Sequence, residues 1–168
     1  NLVSNVVTGC EVIPFTADAI ALSFLPLSHV FERMLDYSYL YKTASIAYAE
    51  SIDRLAANFL EVNPHCFGAV PRVYEKVHAK IMAKAEAGSP LKRRIFRWAV
   101  AVGRERVAYM ERGEDLPAGL ARRAKIADAL VFQKIRAALG TNFRFAVSGS
   151  APLSRDLAEF FIGAGVQI

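Results

Sequence analysis

The sequence predicts an α/β fold: a mostly parallel sheet of about four or five strands, covering helices, and a helical excursion inserted over residues 72–139. Three observations lead there. From residue 18 to residue 71, strand-like runs alternate with helix-like spacings, the pattern of βαβ units with right-handed crossovers. The first such run, 18–25, is apolar at Ala19, Ile20, Ala21, Leu22, Phe24 and Leu25, as in a sheet covered on both faces. From 72 to 139 the apolar residues recur at helical spacing with no strand between them, and the alternation resumes only at 143.

Each element follows from its residues. Residues 1–7 read as the end of a helix closed by Thr8 and Gly9. Pro26 ends the strand at 18–25. The next residues turn into a helix reaching Tyr41, with Val30, Met34, Tyr37 and Leu40 or Tyr41 on one face. Residues 44–48 form a short strand. Ser51 and Asp53 open a helix in which Ile52, Leu55, Ala56 and Phe59 keep the helical period to residue 60. Pro64 breaks the chain, 66–70 is another short apolar strand, and Pro71 lies in the first turn of the next helix. That helix carries the stripe Val73, Val77, Ile81 and Ala85. After Gly88, Ser89 and Pro90, a longer stripe runs through Leu91, Ile95, Trp98, Val102 and Tyr109. A loop spans 112–117, and Ile126, Leu130 and 135–139 belong to one or two further helices that end at Gly140.

Phe143, Phe145 and Val147 then alternate with Arg144 and Ala146 as a strand. Residues 148–152 are a tight turn of small residues ending in proline. Ser154 with Asp156 opens a helix whose apolar face is Leu157, Phe160 and Phe161. Val166, Gln167 and Ile168 read as the start of another strand. That unfinished strand, and a first residue that is Asn, lead us to expect a piece of a longer protein. The 168 residues suit one domain with a real core, 1–71 and 140–168 forming its α/β part.

Composition excludes several classes. With 54% hydrophobic residues the chain is not disordered, and no apolar run approaches the roughly 20 residues that span a bilayer. Cys10 and Cys66 stand far apart, at no metal spacing, which favours two reduced, buried thiols in a cytoplasmic protein. The charge is uneven. Residues 72–136 hold 16 Lys and Arg against 7 Asp and Glu, a net of +9, while the remainder holds 5 against 9, a net of −4. A basic block in an otherwise acidic chain suggests one face that meets anions.

Three constellations are candidates for chemistry. The turn SGSAPLS at 148–154 joins a strand to a helix N-terminus, where backbone N–H groups are open to a planar or anionic ligand. It is not a serine nucleophile elbow, since Ser148 and Pro152 stand where that motif needs glycine around Ser150. An ordinary strand-to-helix turn is the commoner use of such a stretch. His29 follows the carboxyl end of the 18–25 strand, where open α/β sheets hold ligands, although a capping or packed histidine is the plainer reading. No acid or cysteine stands near it at metal-ligand spacing, so no metal site is expected. The third is the row Lys92, Arg93, Arg94, Arg97, Arg104, Arg106 and Arg112, on one helix with Trp98. It reads first as a solvated helix face and second as a peripheral contact with anionic membrane, to which each basic residue contributes about 1 kcal/mol. Nucleic acid is not expected, because the aromatics make no stacking platform.

LPLSHVFER at 25–33, GAVPRVYEK at 68–76 and SGSAPLS at 148–154, in that order, resemble the long-chain fatty acyl-CoA synthetases of the acyl-adenylate-forming superfamily. The resemblance covers essentially the whole chain, and the three motifs together are specific. It implies an acid–thiol ligase. ATP and a fatty acid give an acyl-adenylate and pyrophosphate with Mg²⁺, and the CoA thiol then gives acyl-CoA and AMP. It implies His29 at the acyl-adenylate site. Gly149, Ser150, Ala151 and Pro152 would line the adenine and the base of the acyl pocket, with Ser150 where the family often has glycine. Val70, Pro71 and Arg72 would flank the acyl tunnel. The phosphate loop is expected before Asn1. The Mg²⁺-holding Glu and the C-terminal catalytic Lys are expected after Ile168, so the piece alone is expected to be inactive. Two rivals stand beside this reading: a basic helical module on anionic membrane, and an adenylate-forming ligase for another carboxylic acid. Sheet edges left unpaired would favour an oligomer.

Overall fold

The computed structural model describes residues 1–168. Helix α1 (Leu2–Val12) is followed by β1 (Ile20–Ser23), α2 (Val30–Tyr41), β2 (Ser45–Tyr48), α3 (Leu55–Val62) and β3 (Cys66–Ala69). Then come α4 (Pro71–Glu86), α5 (Pro90–Glu111), α6 (Ala118–Ala127), a π-helical segment (Asp128–Phe132), α7 (Gln133–Arg136) and a 3₁₀ turn (Ala137–Leu139). Strand β4 (Phe145–Ser148) and α8 (Arg155–Gly163) close the chain. The α/β class and the parallel sheet are as the sequence predicts, and no helix is long and apolar enough to cross a membrane.

The chain forms two compact units. The first comprises residues 1–69 and 138–150. Its four strands lie in the order β2-β1-β3-β4, all parallel. Ala21 is opposite both Ile46 and Cys66, and Ala69 is opposite Ser148. The inner strands are buried at Ala21, Leu22, Ser23 and at every residue of β3, which explains their apolar sequence. Burial pushes the Cys66 thiol up to about 12, so it packs as a small apolar group. Phe15 meets Tyr39 edge-on at 5.0 Å, and Phe59 meets Phe67 at 4.9 Å. Asn63, left-handed at φ 51°, closes α3. Its Oδ1 accepts from Thr141 N–H at 2.7 Å and Asn142 N–H at 3.0 Å, tying that corner to the approach of β4.

Several expectations are corrected here. Helix α1 does not stop at Thr8 and Gly9; it continues to Val12, with the Gly9 carbonyl accepting from Ile13 N–H at 2.9 Å. Its buried residues, Val6 and Cys10, lie four apart on one face, and the Cys10 thiol donates to the Ser38 carbonyl at 3.8 Å. Helix α3 begins at Leu55, not Ser51, after a turn. Strand β4 starts at Phe145, two residues later than the alternation indicates. The face of α2 is inverted: Val30, Tyr37, Leu40 and Tyr41 are exposed, whereas Phe31, Glu32, Leu35, Asp36, Ser38 and Tyr39 are buried. Both stripes have helical spacing. The buried one holds two acids, which disguised it, and those acids find partners only in the folded chain.

The second unit comprises residues 70–137 and 151–168. Its core joins Ala99, Val102, Leu120, Ala127, Phe132 and Ala164, with Trp98 packed against it. Helices α5 and α8 touch at Gly103 and Gly163, where a methyl on Gly163 would lie 2.9 Å from the Gly103 carbonyl carbon. Arg136 grips Asp128 at 2.6 and 2.9 Å and donates to the Ala164 carbonyl at 2.7 Å, bracing the π segment. Helix α6 starts at Ala118, earlier than its apolar spacing indicated. Val166, Gln167 and Ile168 form no strand; Val166 is buried and its N–H donates to the Phe161 carbonyl at 2.9 Å.

Candidate functional site

The strand order singles out one point of divergence before any side chain is considered. From β1 the chain moves outward to β2, then returns past β1 to lay down β3 and β4. The connections leaving the carboxyl ends of β1 and β3 therefore part in opposite directions, and open α/β sheets bind ligands at such a divergence. Three segments leave the carboxyl ends of β1, β3 and β4: 24–29, the residues from Val70 onward, and 149–154.

His29 stands at the end of the first segment and is exposed. It is the N-cap of α2: its Nδ1 accepts from the Phe31 N–H at 3.3 Å. A ring nitrogen that accepts carries no proton, which leaves Nε2 as the ring atom able to donate. The capping role weighed for this residue is thus real, and it also orients a donor. The segment is pinned by two further bonds, His29 N–H to the Pro26 carbonyl at 2.9 Å and Arg33 Nε to the Leu27 carbonyl at 3.1 Å.

Gly149 and Ser150 leave β4 within the same unit. The Gly149 N–H reaches the Ala69 carbonyl at 3.3 Å, extending the ladder one residue past Ser148. A methyl on Gly149 would fall 2.1 Å from Phe31 Cε2, so only glycine lets this turn lie against the ring two residues beyond His29. Ser150 adopts φ 69°, a left-handed conformation that turns its backbone sharply and that side chains other than glycine adopt at a cost. Ser148 Oγ is buried with no hydrogen-bond partner. The structure thus packs Phe31, two residues after His29, against Gly149. Ala151 and Pro152, both exposed, open the second segment of the other unit. Val70, Pro71 and Arg72 open its first, with Val70 as N-cap of α4 and Pro71 at its first position.

Sequence reasoning missed a polar group behind this segment. Glu32 Oε1 accepts from Ser23 Oγ–H at 2.7 Å and Phe24 N–H at 3.2 Å, and Asp36 Oδ2 accepts from Tyr48 O–H at 2.9 Å. Burial raises the pKa of Glu32, opposed by the Ser23 hydroxyl and reinforced by Asp36. Burial likewise raises Asp36, opposed by the Tyr48 and Ser23 hydroxyls. A Glu and an Asp at i and i+4, on the helix face shared with Phe31, Leu35 and Tyr39, were the available signal.

Comparison with known proteins gives this site its context. A family model described as "AMP-binding enzyme" matches residues 1–167. Long chain acyl-CoA synthetase 1 of Arabidopsis thaliana is 35% identical over 146 residues, which are 86% of this chain and 21% of that protein. Long-chain-fatty-acid–CoA ligase FadD15 of Mycobacterium tuberculosis is 38% identical over 149 residues, 88% of this chain and 24% of that one. The chain therefore spans less than a quarter of the length of these relatives. Among solved structures, the adenylation domain of a carboxylate reductase from Mycobacterium chelonae superposes with a TM-score of 0.63 at 24% identity, covering 99% of this chain and 22% of its own. The A domain of a carboxylic acid reductase from Segniliparus rugosus, solved with AMP and a co-purified carboxylic acid, gives 0.57 at 19% identity, covering 99% and 23%. These two share the fold.

Proposed function

The chain belongs to the AMP-binding enzyme family, and on that premise we propose that it is the part of a long-chain fatty acid–CoA ligase that holds the adenylated acid. The observation that carries this reading is the meeting of the His29-capped segment with the Gly149 turn beside the divergence of β1 and β3. In the first step a carboxylate oxygen attacks the α-phosphorus of ATP and pyrophosphate leaves. In the second the CoA sulfur attacks the acyl carbon and AMP leaves. Such chemistry needs positioning and charge neutralisation above all. The residues fit a nucleotide. The Phe31 ring packs on one side of Gly149, Ser150 beyond it is exposed, and Ser148 Oγ lacks a partner. Ala151 and Pro152 follow Ser150 directly in the chain. His29 Nε2–H donates to an oxygen of the acid being activated, and Val70, Pro71 and Arg72 flank the acyl chain. No group of three His, Cys, Asp or Glu side chains in this chain is placed to hold a metal.

The test is ATP–pyrophosphate exchange by the intact gene product that carries this chain, with palmitate. We expect exchange that depends on a long-chain acid. His29→Ala is expected to lower it about 10²-fold, in the range of a lost electrostatic donor. Exchange with short or aromatic acids alone would favour the other-acid ligase, and no exchange with any carboxylic acid would end the reading. The 168-residue piece by itself is expected to show none.

A second reading, peripheral membrane contact, has one observation in its favour. Leu91, Ile95, Trp98 and Leu130 form an apolar patch beside Arg94, with Leu91 and Leu130 exposed. It requires sedimentation with phosphatidylserine vesicles at low salt that is lost at high salt. We place the protein in the cytoplasm, with such contact at the membrane surface.

A further inference from the structure

Helix α2 buries two acids, Glu32 at 1% exposure and Asp36 at 4%. The groups that face them are neutral or acidic: the Ser23 hydroxyl at the end of β1, the backbone N–H groups of Phe24 and Leu25, the Tyr48 phenol of β2, and one another. On α1 the Cys10 thiol donates to the Ser38 carbonyl at 3.8 Å. Each carboxyl is half satisfied. Glu32 Oε1 and Asp36 Oδ2 accept hydrogen bonds, whereas Glu32 Oε2 and Asp36 Oδ1 are buried without partners.

Two carboxylate ions one helical turn apart, out of water and without a cation, repel one another and forgo solvation. One proton cures both faults. It removes one of the two charges and turns one orphan acceptor into a donor. We propose that the buried pair Glu32 and Asp36 retains a single proton between its two carboxyls, and that the pair is the positioning element for His29. The link to His29 is short. Glu32 Oε1 clamps Ser23 and Phe24, where β1 gives way to the loop, and Glu32 lies three residues after His29 in the first turn of the helix that His29 caps. The loop is thereby held at its start by Glu32 and at its end by the cap. Asp36, one helical turn on, is itself anchored by the Tyr48 hydroxyl. The raised titration of both carboxyls by burial accords with a retained proton. The part that concerns His29 rests on the ligase reading above; the shared proton does not.

The experiment compares the intact wild-type protein with Glu32→Gln, Glu32→Ala and Ser23→Ala. Glutamine keeps an acceptor oxygen and supplies N–H donors without a charge. Infrared difference spectra of wild type minus Glu32→Gln at neutral pH should show the carbonyl stretch of one protonated carboxylic acid. Its absence would overturn the shared proton whether or not the protein turns over. In adenylate formation, Glu32→Ala should lower kcat about tenfold or more, as expected of misplaced groups, with KM for ATP little changed. Glu32→Gln should restore most of that loss and abolish the fall in kcat on the alkaline side of the wild-type profile. Glu32→Gln as damaging as Glu32→Ala, or an unaltered alkaline limb, would overturn the positioning role. Should Glu32→Ala fail to fold, Ser23→Ala, which removes one donor to Glu32 Oε1, is the test: kcat unchanged would overturn it.

Discussion

Gly149 shows how far one hydrogen atom decides local structure. The site turn lies on the Phe31 ring because no side chain separates them. We expect Gly149→Ala to push the ring or the turn aside and to destabilise the protein by about 1–3 kcal/mol, the usual cost of overpacking. Equilibrium denaturation of the purified variant measures it. Ser150, one residue on, is strained instead of crowded, at φ 69°. Ser150→Gly should be tolerated with little change in Tm. Ser150→Val should lower stability by about 1–2 kcal/mol, because a β-branched side chain is poorly accommodated at positive φ. Equal stability of the two variants would show that the turn relaxes to another conformation.

Between elements, the contact of α5 with α8 is of the same kind on a larger scale. Each helix presents a glycine, and the two backbones approach at Gly103 and Gly163 with Phe132 Cζ 3.0 Å from the place of a methyl on Gly103. A methyl on Gly163 would meet backbone, which cannot swing away as a side-chain end can. Gly163→Ala is therefore expected to cost about 1–3 kcal/mol, and adding a branched residue there to cost more. Chemical denaturation followed through Trp98, which packs on this core, reports it. The N-cap of α8 was legible in the chain. Ser154 Oγ accepts from Leu157 N–H at 3.4 Å, as a hydroxyl before an apolar stripe predicts. The continuation of α1 past Gly9 was not, because a glycine ends a helix only where the chain takes up a left-handed turn, and Gly9 does not.

At the scale of the molecule, the buried acids and the surface pairs impose opposite pH dependences. Glu32 and Asp36 are raised from ordinary values of 4.5 and 3.8, so their contribution to stability is complete below those values and is lost as pH rises through the folded ones. Asp18 is held well below 3.8, first by hydrogen bonds from Arg144 and Thr16. Its contribution is present above 3.8 and is lost as pH falls. Because the Asp18 pair is exposed and screened, the buried acids should dominate. We expect Tm to decline from mildly acidic to alkaline pH in wild type and less steeply in Glu32→Gln; parallel profiles would contradict this.

The sequence alone determined the alternation of strand and helix, the turn after β4, the helix opening at Pro71 and, through three motifs, the family. These rest on neighbours within a few residues: a proline's fixed φ, a hydroxyl cap, a run of apolar side chains. Only the tertiary structure decided which side of α2 faces inward, and with it the polar group behind His29. Helical periodicity offers two stripes there. The choice falls to Ser23 and Tyr48, nine residues before Glu32 and twelve after Asp36, whose hydroxyls make burial of the two acids tolerable. A buried charge is acceptable only when its partners are in place, and those partners come together only when the chain has folded.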